Sequence, residues 1–169
     1  MIFCIFDKDR KINDVVKQIR KYFDFLYDRG FETTYKFYDR KAFGNWIVIL
    51  RSEKYFIRFV QDRGAIFLQI GPRWGLQELK SSNLTDVDVL VPYIKTRDFD
   101  FHIRSISEDK NEQLQRLRLL FLDNFDEIFA FMSRANFDEE KTKITRLVRE
   151  KFESAYPSLK GNLLTRSKH

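Results

Sequence analysis

Three short apolar runs between Asn45 and Gly71 constrain the fold of this chain more than any other feature. They read NWIVILR, YFIRFVQ and GAIFLQIG, and the polar stretches SEK and DRG separate them. Runs of this length, rich in β-branched and aromatic residues and joined by short turns, are typical of consecutive antiparallel strands. Gly64 is expected to supply the positive φ of a three-residue hairpin loop. The sequence therefore predicts an antiparallel meander.

Both faces of this predicted sheet carry apolar side chains. Because side chains alternate across a strand, Ile57 and Phe59 share one face, while Phe56 and Arg58 share the other. Neither face is uniformly polar, so both are expected to have at least partial cover. We predict that Ile57 and Leu68 lie in the core.

The segments before the meander predict a strand, a helix and a further strand. Met1 to Phe6 alternates in the manner of a short strand. From Ile12 to Asp28 the apolar residues recur at the three- and four-residue spacing of an amphipathic helix. Gly30 is a suitable residue for the end of that helix. Period-two alternation returns from Phe31 to Tyr38 and predicts the first strand of the main sheet.

The second half of the chain is predicted to be mostly helical. Residues 84–94 fit either a helix or a strand, and although Pro92 disfavours both, we favour a short helix. Residues 97–105 alternate like a strand, and Ser105 has capping-box spacing to Glu108. A pair of helices follows, interrupted at 134–136, and its second member runs from about Phe137 to Tyr156. The predicted fold class is α+β, with an antiparallel meander of four or more strands, a leading amphipathic helix and a C-terminal helical pair.

The length and the cysteine content predict one intracellular domain. A chain of 169 residues is long enough to bury a sizeable core, which we assign to residues 1–159. Residues 160–169 are basic and aperiodic, so we expect a flexible tail. With Cys4 as the single cysteine, no internal disulfide is possible, and a cytoplasmic location is expected. No secretory signal or membrane span is expected, because no apolar run is long enough.

The charge of the chain is compatible with an acidic partner. The formal net charge is +6, and residues 1–60 contribute +5 of it. A basic N-terminal third can attract an acidic protein or a nucleic acid. Acidic residues are interleaved throughout, which is also typical of ordinary solvated surface charge.

The sequence contains few residues and motifs that are suited to catalysis. The chain has two histidines and one cysteine, with no zinc-binding cluster and no glycine-rich phosphate loop. The best local constellation is Asp98, Asp100 and His102, which would share one face of a strand and could bind a divalent metal for phosphodiester hydrolysis. The polar face of an amphipathic strand gives the same spacing. We predict no cofactor and no catalytic residue, and a metal-dependent nuclease is the alternative hypothesis.

Five basic and aromatic residues are the candidates for binding. Lys36 and Tyr38 lie in an interleaved basic and aromatic stretch, as does Arg58 in the central run, and such stretches can stack and clamp single strands. Arg73 and Trp74 lie in the loop GPRWG that follows the meander. Trp74 either packs back on the sheet or is presented to a partner.

A helix ending in Tyr27-Asp28-Arg29-Gly30-Phe31 precedes a meander that contains the pattern Ile57-x-Phe59-x-x-Asp62-Arg63-Gly64. With its trailing helices, this arrangement resembles small uncharacterised bacterial α+β proteins, among them immunity proteins of polymorphic toxin systems. The resemblance covers residues 12–75 in pattern only and transfers no functional residue. It implies a cytoplasmic, non-catalytic protein that binds and neutralises one partner. Protein binding is therefore the predicted function, with nucleic-acid binding as an alternative.

Overall fold

The three apolar runs form the centre of a five-stranded antiparallel sheet with the strand order β1-β2-β3-β4-β5. The computed structural model describes residues 3–73, 84–99, 109–133 and 135–157, with side chains from residue 9 onward. The strands are β1 (Glu32–Asp39), β2 (Asn45–Arg51), β3 (Tyr55–Asp62), β4 (Ala65–Pro72) and β5 (Thr85–Asp86). The helices are α1 (Phe3–Tyr22), α2 (Asp24–Asp28), α3 (Val87–Thr96), α4 (Lys110–Asp123), α5 (Phe125–Met132) and α6 (Phe137–Ala155). The predicted α+β class is confirmed.

The N-terminal segment is helical, so the strand predicted for Met1 to Phe6 is wrong from Phe3 onward. Six alternating residues do not distinguish a strand from the first turns of a helix, and residue 5 lies about two helical turns before Ile12. The predicted helix from Ile12 to Asp28 is interrupted at Phe23, whose φ of −124° and ψ of 35° are not helical. Gly30 ends α2 with a φ of +79°, as predicted.

The hairpin between β3 and β4 is tighter than predicted. Asp62 pairs directly with Ala65, so the turn contains two residues rather than three. Arg63 and Gly64 have φ values of 48° and 90°. A turn with positive φ at both central positions has a twist that matches the flanking strands. Glycine is favoured in such turns because it has no Cβ and adopts positive φ without steric cost.

A β-bulge in β1 reverses the faces of its outer half. Thr33 pairs with Leu50, but Tyr35 pairs with Ile49, and the register shifts between them at Thr34. One inserted residue moves every later side chain to the opposite face. The strict alternation predicted for Phe31 to Tyr38 is therefore wrong beyond the bulge.

The segment after β4 contains both of the structures that its sequence allowed. Thr85 and Asp86 pair with β4, and the favoured helix, α3, follows immediately. The Asp86 carboxylate accepts the N–H of Asp88 at 3.1 Å and caps the helix. Pro92 lies inside α3. Residues 97–99 are not a strand, and the remainder of the predicted strand, residues 100–105, lies outside the described residues.

The start of α4 lies later than predicted. Its N-cap is Asp109, whose carboxylate accepts the N–H of Glu112 at 3.0 Å, while the Glu112 carboxylate accepts the N–H of Asp109. The two residues thus form a reciprocal capping box, while the one predicted from Ser105 and Glu108 lies outside the described residues. Asn124 separates α4 from α5, so the C-terminal helical pair becomes three helices. The predicted last helix is confirmed, and so is the predicted break at residues 135–136, while residue 134 lies outside the described residues.

The helices cover one face of the sheet. Phe23 stacks edge-on against Phe59 with ring centroids 4.8 Å apart, and Tyr55 packs against Phe129 of α5 at 4.6 Å. Ile57 and Leu68 are fully buried on this face, as predicted. In the part of the chain that the structure describes, the apolar residues of the opposite face are not members of the core cluster or of the side chains packed against it. We call this opposite side the open face; its central residues are Tyr35, Phe37, Ile47, Ile49, Phe56, Arg58, Val60, Phe67 and Gln69.

Candidate functional site

The open face is built from two rows of side chains that cross the sheet. Strand register places one side chain of each strand beside its neighbour, about 5 Å away. The first row is apolar and contains Phe37, Ile47, Val60 and Phe67. The second row contains Tyr35, Ile49, Arg58, Gln69 and Asp86. The result is an apolar surface with one arginine at its centre.

This face is exposed most strongly at its β1 edge. Tyr35 is 49% exposed and Phe37 is 39% exposed, although both are large aromatic side chains. Ile47, Ile49 and Val60 are half-buried. Exposed large aromatic side chains beside apolar neighbours often mark a site that binds another molecule.

Arg58 is a cation held within this apolar surface. Phe56 and Val60 flank it along β3, and Ile49 lies beside it on β2. Its Nε and Nη2 both donate to the Gln69 amide oxygen, at 2.8 and 2.6 Å. Among the described residues, no carboxylate forms an ion pair with Arg58. Burial lowers the pKa of the guanidinium from its ordinary value, because the charged form is partly desolvated.

The hairpin between β1 and β2 presents a third exposed aromatic ring. Phe43 is 79% exposed, and its φ of 57° lies in the left-handed region. The Asp39 carboxylate accepts the N–H of Lys41 at 2.9 Å, which fixes the start of the loop. A Cβ at Gly44 would lie 3.1 Å from the Tyr38 hydroxyl. The loop is therefore held in a defined conformation with Phe43 at its tip.

Replacing Phe43 with glycine is expected to raise the free energy of unfolding by about 0.5–1 kcal/mol. The substitution removes the cost of a left-handed non-glycine residue, which exceeds the extra entropy of glycine in the unfolded chain. Urea unfolding of the variant and of the wild type measures the change. A loss of more than ~1 kcal/mol would show that the Phe43 side chain contributes packing that its exposure does not indicate.

The four predicted binding residues that the structure describes do not lie together. Lys36 and Tyr38 lie on the helix-covered side of β1, where the Lys36 ammonium donates to Asn13 at 2.7 Å. Arg58 lies on the open face. Arg73 follows β4, where its guanidinium donates to the backbone oxygen of Glu53 at 3.4 Å, and Trp74 lies outside the described residues.

The predicted metal constellation is not supported at Asp98. This residue follows α3 rather than lying on a strand, and its carboxylate pairs with Lys151 at 2.5 Å. The hydrogen bond from Lys151 is the main cause of a lowered pKa at Asp98. Asp100 and His102 lie outside the described residues. Within the part of the chain that the structure describes, no three acidic, histidine or cysteine side chains form a group that could hold a metal ion.

The buried carboxylate of Glu140 has a structural role. It accepts hydrogen bonds from the Tyr93 hydroxyl at 3.2 Å, from the Arg97 guanidinium at 2.5 Å and from the Lys143 ammonium at 2.9 Å. The hydrogen bond from Lys143 is the largest cause of the lowered pKa of Glu140. With every carboxylate oxygen engaged, this cluster joins α3 to α6 and offers no reactive group.

A groove along α6 is a weaker candidate. It encloses about 480 Å³ and is lined by Lys141, Arg146 and Arg149, together with polar side chains of the same helix. Arg146 and Arg149 pair with acidic residues one turn away, at 3.7 and 2.9 Å. Such surface pairs are typical of an exposed helix.

Comparisons of this chain with models of protein families, with curated proteins and with solved structures found no match. The resemblance to immunity proteins therefore stays a prediction. In the part of the chain described here, none of the helices has the length and apolar character needed to span a membrane.

Sequence reasoning missed Tyr35 and Phe37 as surface residues. Their alternation in the sequence placed them with Phe31 and Thr33 on one face. Phe31 is buried, and the Thr33 hydroxyl lies 3.1 Å from that of Tyr27 on the helix side. Only the bulge at Thr34 separates the two halves of β1, and no feature of the local pattern marks it.

Proposed function

We propose that this protein acts by binding another protein through the open face of its sheet. The observation that carries the proposal is the combination of exposed Tyr35 and Phe37 with the half-buried aliphatic rows beside them. Aromatic anchors surrounded by smaller apolar side chains are characteristic of the centre of protein–protein interfaces.

The composition of the open face favours a protein over a nucleic acid. Single-strand binding uses stacked aromatic rings within a positively charged groove. The exposed rings are present, but the direct neighbours of Arg58 on this face are Phe56, Val60, Ile49 and Gln69. Arg51 is a further cation on this face, but it lies at the end of β2 opposite Phe56, and the two arginines do not form a continuous basic groove. Lys36, which would extend a basic groove, lies on the other side of β1 and donates to Asn13.

The resemblance to immunity proteins suggests a concrete form of this function. In that form, the protein binds and neutralises one toxin-like partner in the cytoplasm, where its single cysteine stays reduced. Tight inhibition by binding requires no catalytic residue in the inhibitor, and it requires one well-formed surface.

The test is capture of a partner by matched variants. The wild-type protein is immobilised and exposed to a lysate of the organism that encodes it, and the captured protein is identified, purified and titrated. Tyr35→Ala/Phe37→Ala is expected to weaken that purified complex by about tenfold or more, because hot-spot rings contribute at least ~1–2 kcal/mol each.

The control is Leu119→Ala, which removes another exposed apolar side chain, 44% exposed, from α4 in the helical layer. Its complex should keep the wild-type affinity. Equal binding by the double variant and the wild type would contradict the proposed surface. Salt-sensitive binding of a labelled oligonucleotide that the double variant loses would assign the open face to nucleic acid instead.

A further inference from the structure

We propose that Arg58 is the specificity-determining residue of the open face. It forms an ion pair with a carboxylate of the partner protein, an Asp or Glu side chain that is surrounded by apolar residues. This inference rests on the proposed function and names the chemistry of the partner. Its basis is the charge of the surface: one cation lies at the centre of an apolar face without a described acid to neutralise it.

The guanidinium is oriented for such a pair. The amide oxygen of Gln69 accepts two hydrogen bonds, one from Nε–H and one from an N–H of Nη2. A guanidinium has five N–H donors, so three remain, and one from each terminal nitrogen forms the end-on fork that fits a carboxylate. Gln69 thus holds Arg58 in place while leaving the charge-pairing end of the group open.

The apolar surroundings of Arg58 favour a partner that places a carboxylate beside it. A half-buried cation among Phe56, Val60 and Ile49 has lost part of its hydration, and burial lowers its pKa accordingly. Covering the face with a purely apolar partner would bury this charge without compensation, which is costly. A partner that supplies a carboxylate both compensates the charge and excludes partners that lack one.

Asp86 does not fulfil this role within the chain. It lies in the same row as Arg58, but Gln69 separates them, so the two strand positions are about 10 Å apart. One Asp86 carboxylate oxygen accepts the N–H of Asp88 and caps α3.

A second copy of this chain is a poorer occupant. Arg58 lies on the third of five strands and near the middle of β3. Any two-fold axis through the centre of the open face would therefore bring the two Arg58 guanidinium groups together. Like charges that meet in a desolvated interface oppose association.

The experiment selects peptides from a displayed random library on the immobilised full chain. The selected peptides are then synthesised and their dissociation constants measured with the wild type and four variants. Peptides that depend on Tyr35 and Phe37 are expected to carry an Asp or Glu. Arg58→Gln should weaken them ~30-fold or more, and Arg58→Lys by less, because the charge is kept and the fork is lost.

Three measurements separate the loss of the Arg58–carboxylate pair from damage to the binding surface. Replacing the peptide carboxylate by its amide should weaken binding to the wild type and have little further effect in Arg58→Gln. Arg146→Gln, which removes an exposed arginine of α6, should bind as the wild type does. A melting temperature of Arg58→Gln close to that of the wild type confirms that the fold is intact.

The outcomes distinguish this inference from the proposed function. Peptides that require Tyr35 and Phe37 but bind Arg58→Gln within about threefold of the wild type would overturn the carboxylate pairing and leave the binding surface in place. Peptides indifferent to Tyr35, Phe37 and Arg58, or a library that yields none, would overturn both. A third outcome is sedimentation of the wild type as a dimer and of Tyr35→Ala/Phe37→Ala as a monomer. That result would assign the open face to a second copy of the chain and overturn the inference.

Discussion

Replacing Phe59 with alanine is expected to lower the free energy of unfolding by about 3–5 kcal/mol. Phe59 is fully buried on the central strand, pairs with Val48 and Leu68 on the neighbouring strands, and packs edge-on against Phe23. Truncation removes the contact between the sheet and the α1–α2 junction and leaves a cavity that close-packed neighbours fill only in part. Urea unfolding followed by circular dichroism measures the loss.

Phe43→Ala is the matched control for this prediction. It deletes the same ring from a position that is 79% exposed, so its effect should stay within about 0.5 kcal/mol. A Phe59 variant as stable as the Phe43 variant would show that the helices do not pack on this face of the sheet. Because Phe59 lies on the covered face, the loss of stability should not be accompanied by a direct change at the open face.

Replacing Glu140 with glutamine is expected to cost about 1–2 kcal/mol at neutral pH. The carboxylate receives charged hydrogen bonds from Arg97 and Lys143, which an amide cannot reproduce. The cost stays at this lower level because both cations reach solvent and can be rehydrated when the charge is removed. Urea unfolding of the variant at pH 7 measures it.

The pH dependence gives a second readout of the same cluster. The pKa of Glu140 is lowered in the folded protein, mainly by the Lys143 hydrogen bond. A lowered carboxyl pKa contributes stability that is present above the unfolded value of about 4.3 and is lost as the pH falls through the folded pKa. The difference in the free energy of unfolding between wild type and Glu140→Gln should therefore be present at pH 7 and decrease as the pH falls below about 4.

Glu139→Gln is the control for Glu140. Glu139 also pairs with Lys143 at 2.9 Å, but its side chain is 67% exposed, so its loss should cost at most about 0.5 kcal/mol. Equal effects of the two substitutions would show that burial adds nothing to the Glu140 cluster.

The sequence by itself determined the sheet and its core. The runs between Asn45 and Gly71 become β2, β3 and β4, and Ile57 and Leu68 are buried as their alternation indicates. The stripe that includes Ile12 and Ile19 is likewise buried against the sheet. These features were predictable because buried positions recur with the period of a strand or a helix, and a few neighbouring apolar residues are enough to reveal that period.

Part of the candidate site was also visible in the sequence. Arg58 was assigned to the face opposite Ile57, and it lies there. Tyr35 and Phe37 were not recognised, because their position depends on the bulge at Thr34, which local alternation does not reveal.

Only the tertiary structure decided which face of the sheet is open. Both faces are apolar in sequence, so composition could not choose between them. The choice follows from where α1, α4 and α5 pack, a long-range property that leaves Arg58 in an apolar surface and buries Phe59 beside it in the core. Whether a charged side chain needs a partner depends on that placement, because the cost of a charge is set by the solvent and neighbours around it rather than by its position in the chain.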